Sequence, residues 1–129
     1  MQDYDTPPER SWLEKFRDAF LGVELGIRGQ SSFFVHLFIA AAVVAAAIVL
    51  RAILIEWCVL LLCIAGVLTA EMFNSALESL SRAISREHNP DLGAALDMGS
   101  AAVLMAAIGA AIIGGIVFIH RLGAMAGWW

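Results

Sequence analysis

Three long apolar runs restrict this chain to a membrane. Residues 33–50 are uncharged and interrupted only by His36, residues 52–70 carry one charge at Glu56, and a third run covers residues 92–119. About 18 or more such residues are enough for a helix to cross the hydrocarbon core of a bilayer. The hydrophobic fraction of 60% agrees, because soluble domains have about 45–50%. The sequence predicts one domain over residues 1–129, an all-α membrane protein with three transmembrane helices.

The residues before the first run predict an amphipathic helix over residues 6–28. Thr6 is the expected N-cap, with Pro7 at the first helical position and Glu9 closing a capping box. Apolar and aromatic residues then recur at helical spacing, namely Trp12, Leu13, Phe16, Phe20, Val23 and Ile27. A helix with an apolar face opposite a charged one is suited to lie flat at a membrane interface. Packing against other helices of the protein is compatible with that position.

The three spans are predicted as 33–50, 52–86 and 92–119, with the second helix continuing beyond the lipid. A polar turn over residues 87–91 follows it, and Pro90 prevents helix continuation there. Cytoplasmic loops carry an excess of Lys and Arg, so the N-terminus and this turn are predicted to be cytoplasmic. Six basic residues lie on that side and two on the other: Arg10, Lys15, Arg17, Arg28, Arg82 and Arg86 against Arg51 and Arg121.

A row of polar residues lies where the second apolar run gives way to polar sequence. Glu71, Asn74 and Glu78 are spaced three and four residues apart, so they share one face of a helix. The two carboxylates lie about 10 Å apart along the helix axis. Oxygen ligands at this spacing suit a hard cation such as magnesium, which usually binds together with phosphate. The alternative is that the row only marks where the helix leaves the lipid and enters water.

Other functional classes have little support in the sequence. The net charge of −4 and the absence of a Lys/Arg cluster argue against nucleic acid as a partner. Cys58 and Cys63 are five residues apart and face different directions, so they are expected to be buried thiols. There is no Cys/His cluster for zinc and no glycine-rich phosphate loop. His36 is expected to be an interhelical hydrogen-bond partner and not a ligand.

Two motifs together resemble a known family. Glu71-x-x-Asn74-Ser75-Ala76-x-Glu78 is followed about twenty residues later by Asp97-Met98-Gly99-Ser100. This arrangement resembles the small prokaryotic integral-membrane lipid kinases, which are the diacylglycerol kinases and undecaprenol kinases. The likeness covers roughly residues 12–120.

The resemblance implies a homotrimer with composite active sites at the membrane interface, where ATP and Mg²⁺ phosphorylate a lipid hydroxyl. Glu71 would be the general base on that hydroxyl, Asn74 an orienting group and Glu78 a metal ligand. Phosphoryl transfer depends mainly on alignment and charge neutralisation, which such groups supply. The resemblance also implies nucleotide contacts from Glu87, His88 and Asn89, a position beside the phosphates for Asp97, and one near the lipid substrate for Ser100.

The sequence departs from the family pattern at three site positions. Leu96 stands where the family usually has a phosphate-binding lysine, Gln30 where it has a second metal-binding glutamate, and Arg82 where an aspartate is common. Gln30 still offers a carbonyl oxygen to a metal. Arg82 either supplies the missing positive charge to the phosphates or only forms an i,i+4 ion pair with Glu78.

Three functions therefore stay open from the sequence. An active lipid kinase is the favoured interpretation, and a non-catalytic, oligomeric lipid-binding descendant of the same family is the main alternative. A small ion- or proton-conducting oligomer ranks last, because Glu71 and Glu78 both lie toward one end of their helix. A stripe of mostly small residues in the third span supports helix packing or self-association without giving a subunit count. It consists of Gly99, Ala102, Ala106, Gly109 and Ile113.

Overall fold

A computed structural model describes residues 9–29 and 31–128 of the chain. All regular secondary structure in these residues is helical. The four helices are α1 (Trp12–Gly29), α2 (Ser31–Val49), α3 (Leu54–Ile84) and α4 (Pro90–Ala126).

Helices α2, α3 and α4 are long and apolar enough to cross a membrane, with 19, 31 and 37 residues. The prediction of an all-helical chain with three potential spans is therefore confirmed. Few side chains are buried within one copy, and the buried hydrophobic ones among the described residues are Phe33, Ala47 and Leu60. Many large apolar side chains point outward along the spans, as expected for a chain solvated by lipid.

Helix α1 begins later than the sequence predicted. Residues 9–11 are not helical, and the cap is formed by Ser11, whose Oγ accepts a hydrogen bond from the backbone N–H of Glu14 at 3.3 Å. The Glu14 carboxylate accepts one in return from the backbone N–H of Ser11 at 2.8 Å. Ser11 and Glu14 thus form a capping box, while Thr6, the N-cap expected from the sequence, lies outside the described residues, as do Pro7 and Pro8. The interfacial position of α1 stays a prediction.

Helix α1 contacts α3 through Gly26, which is buried. A Cβ atom at position 26 would collide with the Met72 side chain, so glycine allows the two helices to approach closely. The sequence predicted helices that end at residue 28 and begin again at residue 33. Helix α2 begins earlier than that, because Ser31 and Ser32 already belong to it.

A tight turn joins α2 to α3 and is held by α4. Arg51 adopts a left-handed backbone conformation with φ of 53°, and its carbonyl accepts a hydrogen bond from Arg121 Nη2 at 2.8 Å. Arg121 Nε also donates to the Glu56 carboxylate at 2.6 Å. We call residues 50–56 with residues 120 and 121 the hairpin end of the molecule.

Helix α4 is longer than the predicted span at both of its ends. It starts at Pro90 because Asn89 caps it, with the Asn89 side chain accepting from the backbone N–H groups of Asp91 and Leu92. Proline is compatible with a first helical position, where its missing N–H is not needed. The helix continues past residue 119 and stops only at Gly127, which has a left-handed φ of 71°. The polar pair His120-Arg121 thus lies within α4 and does not end it.

Candidate functional site

The Glu71 carboxylate is buried between α3 and α2. Its side chain is 3% exposed. The Ser32 hydroxyl donates a hydrogen bond to Glu71 Oε1, and His36 Nε2 lies 3.7 Å from Oε2. His36 does face α3, but 3.7 Å is longer than a hydrogen bond, so the interhelical hydrogen bond expected of His36 is not seen with Glu71. Two residues of α2, one turn apart, therefore enclose the carboxylate that the sequence marked as the general base.

Asn74 connects α3 to α4 and to Glu78. It is buried, and its Nδ2 donates a hydrogen bond to Glu78 Oε1 at 3.1 Å. Its Oδ1 lies against Gly99 of α4, where a Cβ atom would be only 2.6 Å from that oxygen. No hydrogen-bond partner reaches Asn74 Oδ1 or the buried Ser75 Oγ among the described residues. A buried oxygen without a partner is uncommon in folded proteins and calls for an explanation, such as a bound ion.

Glu78 lies at the more hydrated end of the polar row. Its side chain is 33% exposed, and Arg82 Nη1 lies 3.9 Å from its Oε2. This is the i,i+4 ion pair considered from the sequence, and at such exposure it contributes little to stability. The Arg82 side chain is 67% exposed, so its guanidinium stays accessible to an incoming phosphate.

The oxygen ligands near Glu78 suit magnesium better than a metal that needs three or more protein side chains as ligands. Within residues 9–29 and 31–128, no three His, Cys, Asp or Glu side chains are grouped closely enough to hold a metal ion. Magnesium commonly binds through one or two carboxylates and completes its shell with water and substrate phosphates. The Glu78 carboxylate is a hard oxygen donor of that kind. Gln30, the other predicted ligand, lies outside the described residues.

The α4 residues of the predicted site are not gathered around Glu71 in one copy of the chain. Asp97 is exposed, and it precedes Gly99 by two positions, a rotation of about 200° around the helix. Since Gly99 faces Asn74, Asp97 lies on a different side of α4. Ser100 is also exposed, and its hydroxyl donates to the Leu96 carbonyl at 3.1 Å.

The turn between α3 and α4 presents the predicted nucleotide-contact residues to solvent. Glu87, His88 and Asn89 are all exposed. The Glu87 backbone N–H donates to Ser85 Oγ at 3.1 Å, and the Asn89 side chain is used in capping α4. The side chains of Glu87 and His88 project from a turn whose backbone is thus fixed at both ends.

Ser32 is the residue of this site that the sequence reasoning missed. It belongs to no motif, and it precedes Glu71 by 39 residues. One signal was available, because Ser32 and His36 are four residues apart and share the polar edge of an otherwise apolar helix.

The fold and the site together define a class of protein. It is a helical membrane protein in which the buried Glu71 carboxylate and the Asn74–Glu78 pair lie near one end of the spans. The family described as "Prokaryotic diacylglycerol kinase" matches residues 17–118. An undecaprenol kinase of Bacillus subtilis (strain 168) is 30% identical over 122 residues, covering 92% of this chain and 99% of the relative. A diacylglycerol kinase of Synechocystis sp. is 35% identical over 111 residues, covering 85% of this chain and 63% of that protein. No solved structure matches the chain.

The chain belongs to the prokaryotic diacylglycerol kinase family. Membership of this family makes it a lipid kinase, a transferase of lipid metabolism with membrane helices.

Proposed function

We propose that the chain transfers the γ-phosphate of ATP to the hydroxyl of a membrane lipid alcohol at the cytoplasmic face of the inner membrane, with Mg²⁺ as cofactor. The observation that carries the proposal is the enclosed Glu71 carboxylate, placed one helical turn from a hydrogen-bonded Asn74–Glu78 pair. A carboxylate can accept a proton from an alcohol that lies within hydrogen-bond reach of it.

The three polar residues of α3, Glu71, Asn74 and Glu78, have different roles in the proposed reaction. Glu71 accepts the proton of the lipid hydroxyl, and Asn74 orients Glu78 through the hydrogen bond from its Nδ2. Glu78, with Gln30, would hold Mg²⁺, whose charge neutralises that developing on the phosphates. Arg82 adds an exposed cation near Glu78 and can offset the leucine at position 96. The remaining assignments are Glu87, His88, Asn89 and Asp97 for the nucleotide and Ser100 for the lipid.

Two copies of the chain are needed to complete this site. In one copy Asp97 and Ser100 lie on faces of α4 turned away from Asn74, so they are placed to serve the α3 row of a neighbour. A homotrimer with active sites between subunits accounts for this arrangement, and the outward-facing apolar surfaces of the spans are available for it. The two named relatives act on undecaprenol and diacylglycerol, and we propose one of these lipid alcohols as the substrate.

The decisive experiment measures phosphorylated lipid in mixed micelles containing the purified protein, Mg²⁺, ATP and either undecaprenol or diacylglycerol. Product is expected with at least one lipid, and Glu71→Gln is expected to lower the rate by about 10²–10⁴-fold, the usual contribution of a general base. Glu24→Gln is the matched control, since that exposed carboxylate pairs with Arg28 on α1. Absence of product with both lipids, or a Glu71→Gln variant as active as the control, would refute the proposal.

A further inference from the structure

Both oxygens of the Glu71 carboxylate face groups of α2. Oε1 accepts the hydrogen bond from the Ser32 hydroxyl, and Oε2 faces the His36 ring. With its side chain 3% exposed, Glu71 offers no free approach to a further hydroxyl. A general base must nevertheless come within about 2.6–3.2 Å of the proton it accepts. One of the two α2 groups must therefore move away before a lipid alcohol can react.

Ser32 is the group suited to exchange with the substrate. Its hydroxyl is chemically an aliphatic alcohol that donates to the carboxylate, as a lipid hydroxyl would. Ser32 is exposed and is the second residue of α2, where the chain has just left α1. His36 is a full turn deeper and also lines the apolar cavity of about 420 Å³ between α2, α3 and α4. Replacing a serine hydroxyl by a lipid hydroxyl keeps the hydrogen bond of Oε1 and leaves the His36 contact in place.

We infer that Ser32 is a positioning residue that occupies the place of the substrate hydroxyl on Glu71 when no lipid alcohol is bound. The inference rests on the proposed function, since it takes Glu71 as the group that receives the lipid hydroxyl. A buried carboxylate without a hydrogen-bond donor is strongly disfavoured. The serine therefore keeps the carboxylate paired while no lipid alcohol is bound, and it competes with the lipid for the same oxygen.

The test compares Ser32→Ala, which removes the hydroxyl, with Ser32→Thr, which keeps it. Dioctanoylglycerol is titrated into micelles without ATP, and binding is followed by the rise in the thermal unfolding temperature. Because hydrogen bonds to charged groups are strong, we expect half-maximal stabilisation of Ser32→Ala at a concentration lowered by about three- to tenfold. Ser32→Thr and Ser31→Ala, a change at the neighbouring serine, should resemble the wild type. An unchanged or raised concentration for Ser32→Ala overturns the inference.

Steady-state kinetics separate this role from a merely structural one. Competition for Glu71 predicts that Ser32→Ala lowers the KM for dioctanoylglycerol and leaves kcat within about twofold, because binding in the ground state is what changes. A fall in kcat with unchanged KM would mean that Ser32 acts in the reacting complex, and it overturns the inference. Ser32→Cys, a weaker donor of similar size, should show a smaller shift in the same direction and serves if the alanine variant does not fold.

The two proposals fail in different ways. If the wild type binds dioctanoylglycerol without phosphorylating it or undecaprenol, the proposed kinase reaction fails, while the binding comparison still decides the role of Ser32. If neither wild type nor Ser32→Ala responds to dioctanoylglycerol or to undecaprenol, the inference about Ser32 is overturned as well.

Discussion

Gly99 determines where the Asn74 side chain lies. The amide oxygen of Asn74 occupies the space that a side chain at position 99 would fill, and its amide nitrogen holds Glu78. The unpartnered Oδ1 is a loss of about 1–3 kcal/mol for a buried acceptor, unless a ligand satisfies it. The Asn74 amide is thus held by Gly99 on its oxygen side and by Glu78 on its nitrogen side.

Gly99→Ala should impair catalysis more than folding. The new methyl group would force the Asn74 amide away from α4, and displacements of about 1 Å at an active site can cost about 100-fold in rate. We expect kcat/KM for the lipid to fall by about 10- to 100-fold in the mixed-micelle assay. Gly93→Ala is the control on the same helix, because a Cβ atom there meets nothing within 4 Å. Equal activity of the two variants would show that the position of Asn74 is unimportant.

The helices are joined by polar contacts at both ends of the spans. At one end Glu71 connects α3 to α2, and at the hairpin end Arg121 connects α4 to Glu56 and to the Arg51 carbonyl. The Arg121 and Glu56 side chains are only 18% and 12% exposed. Without Arg121, the largely buried Glu56 carboxylate would keep the hydrogen bond from the Ile53 backbone N–H but would lose its nearest positive charge. The hairpin end therefore contributes to stability without belonging to the proposed site.

Arg121→Gln should destabilise the fold by about 3 kcal/mol, because the Glu56 carboxylate would lose its buried counter-charge. Unfolding in detergent micelles, followed by circular dichroism, measures this change. Arg28→Gln is the control, since it breaks an exposed pair with Glu24 on α1 and should cost less than about 1 kcal/mol. Similar losses for the two variants would mean that burial of the Arg121 pair adds nothing.

The sequence predicts which segments are helical. It predicts the ends of the helices and the contacts between them less well. The apolar runs locate α2, α3 and α4, because a segment in lipid must satisfy its backbone hydrogen bonds internally. The predicted helix over residues 6–28 is wrong at residues 9–11, which are not helical, and the structure shows a capping box at Ser11. The spacing of Glu71, Asn74 and Glu78 predicted a shared face. Ser32 escaped detection because its contact with Glu71 depends on how α2 packs on α3.

One copy of the molecule, over its described residues, presents a largely apolar surface and keeps the proposed site residues of α3 and α4 apart. Glu71 and Glu78 belong to α3, whereas Asp97 projects from another side of α4 and stays exposed. If the reaction needs all three groups, a single copy cannot perform it. Symmetric association of identical chains would bring the α4 of one subunit to the α3 of the next.

Mixed oligomers of two inactive variants should recover activity. Glu71→Gln disables the α3 half of a site and Asp97→Asn the α4 half, so co-expression of both chains leaves about a quarter of the sites intact under random mixing. Lipid kinase activity of the co-purified oligomer measures the recovery. Pairing Glu71→Gln with Glu78→Gln gives no recovery beyond the single variants, because both changes lie on α3. Failure of the first pair to recover activity would place the whole site within one subunit.

The backbone of Arg51 has a mechanical consequence. A left-handed conformation is unfavourable for an arginine, yet here it directs a carbonyl oxygen at Arg121 and ties the α2–α3 turn to α4. We therefore expect α2 and α3 to separate most easily near Ser32 and Glu71, and least easily at the turn that contains Arg51.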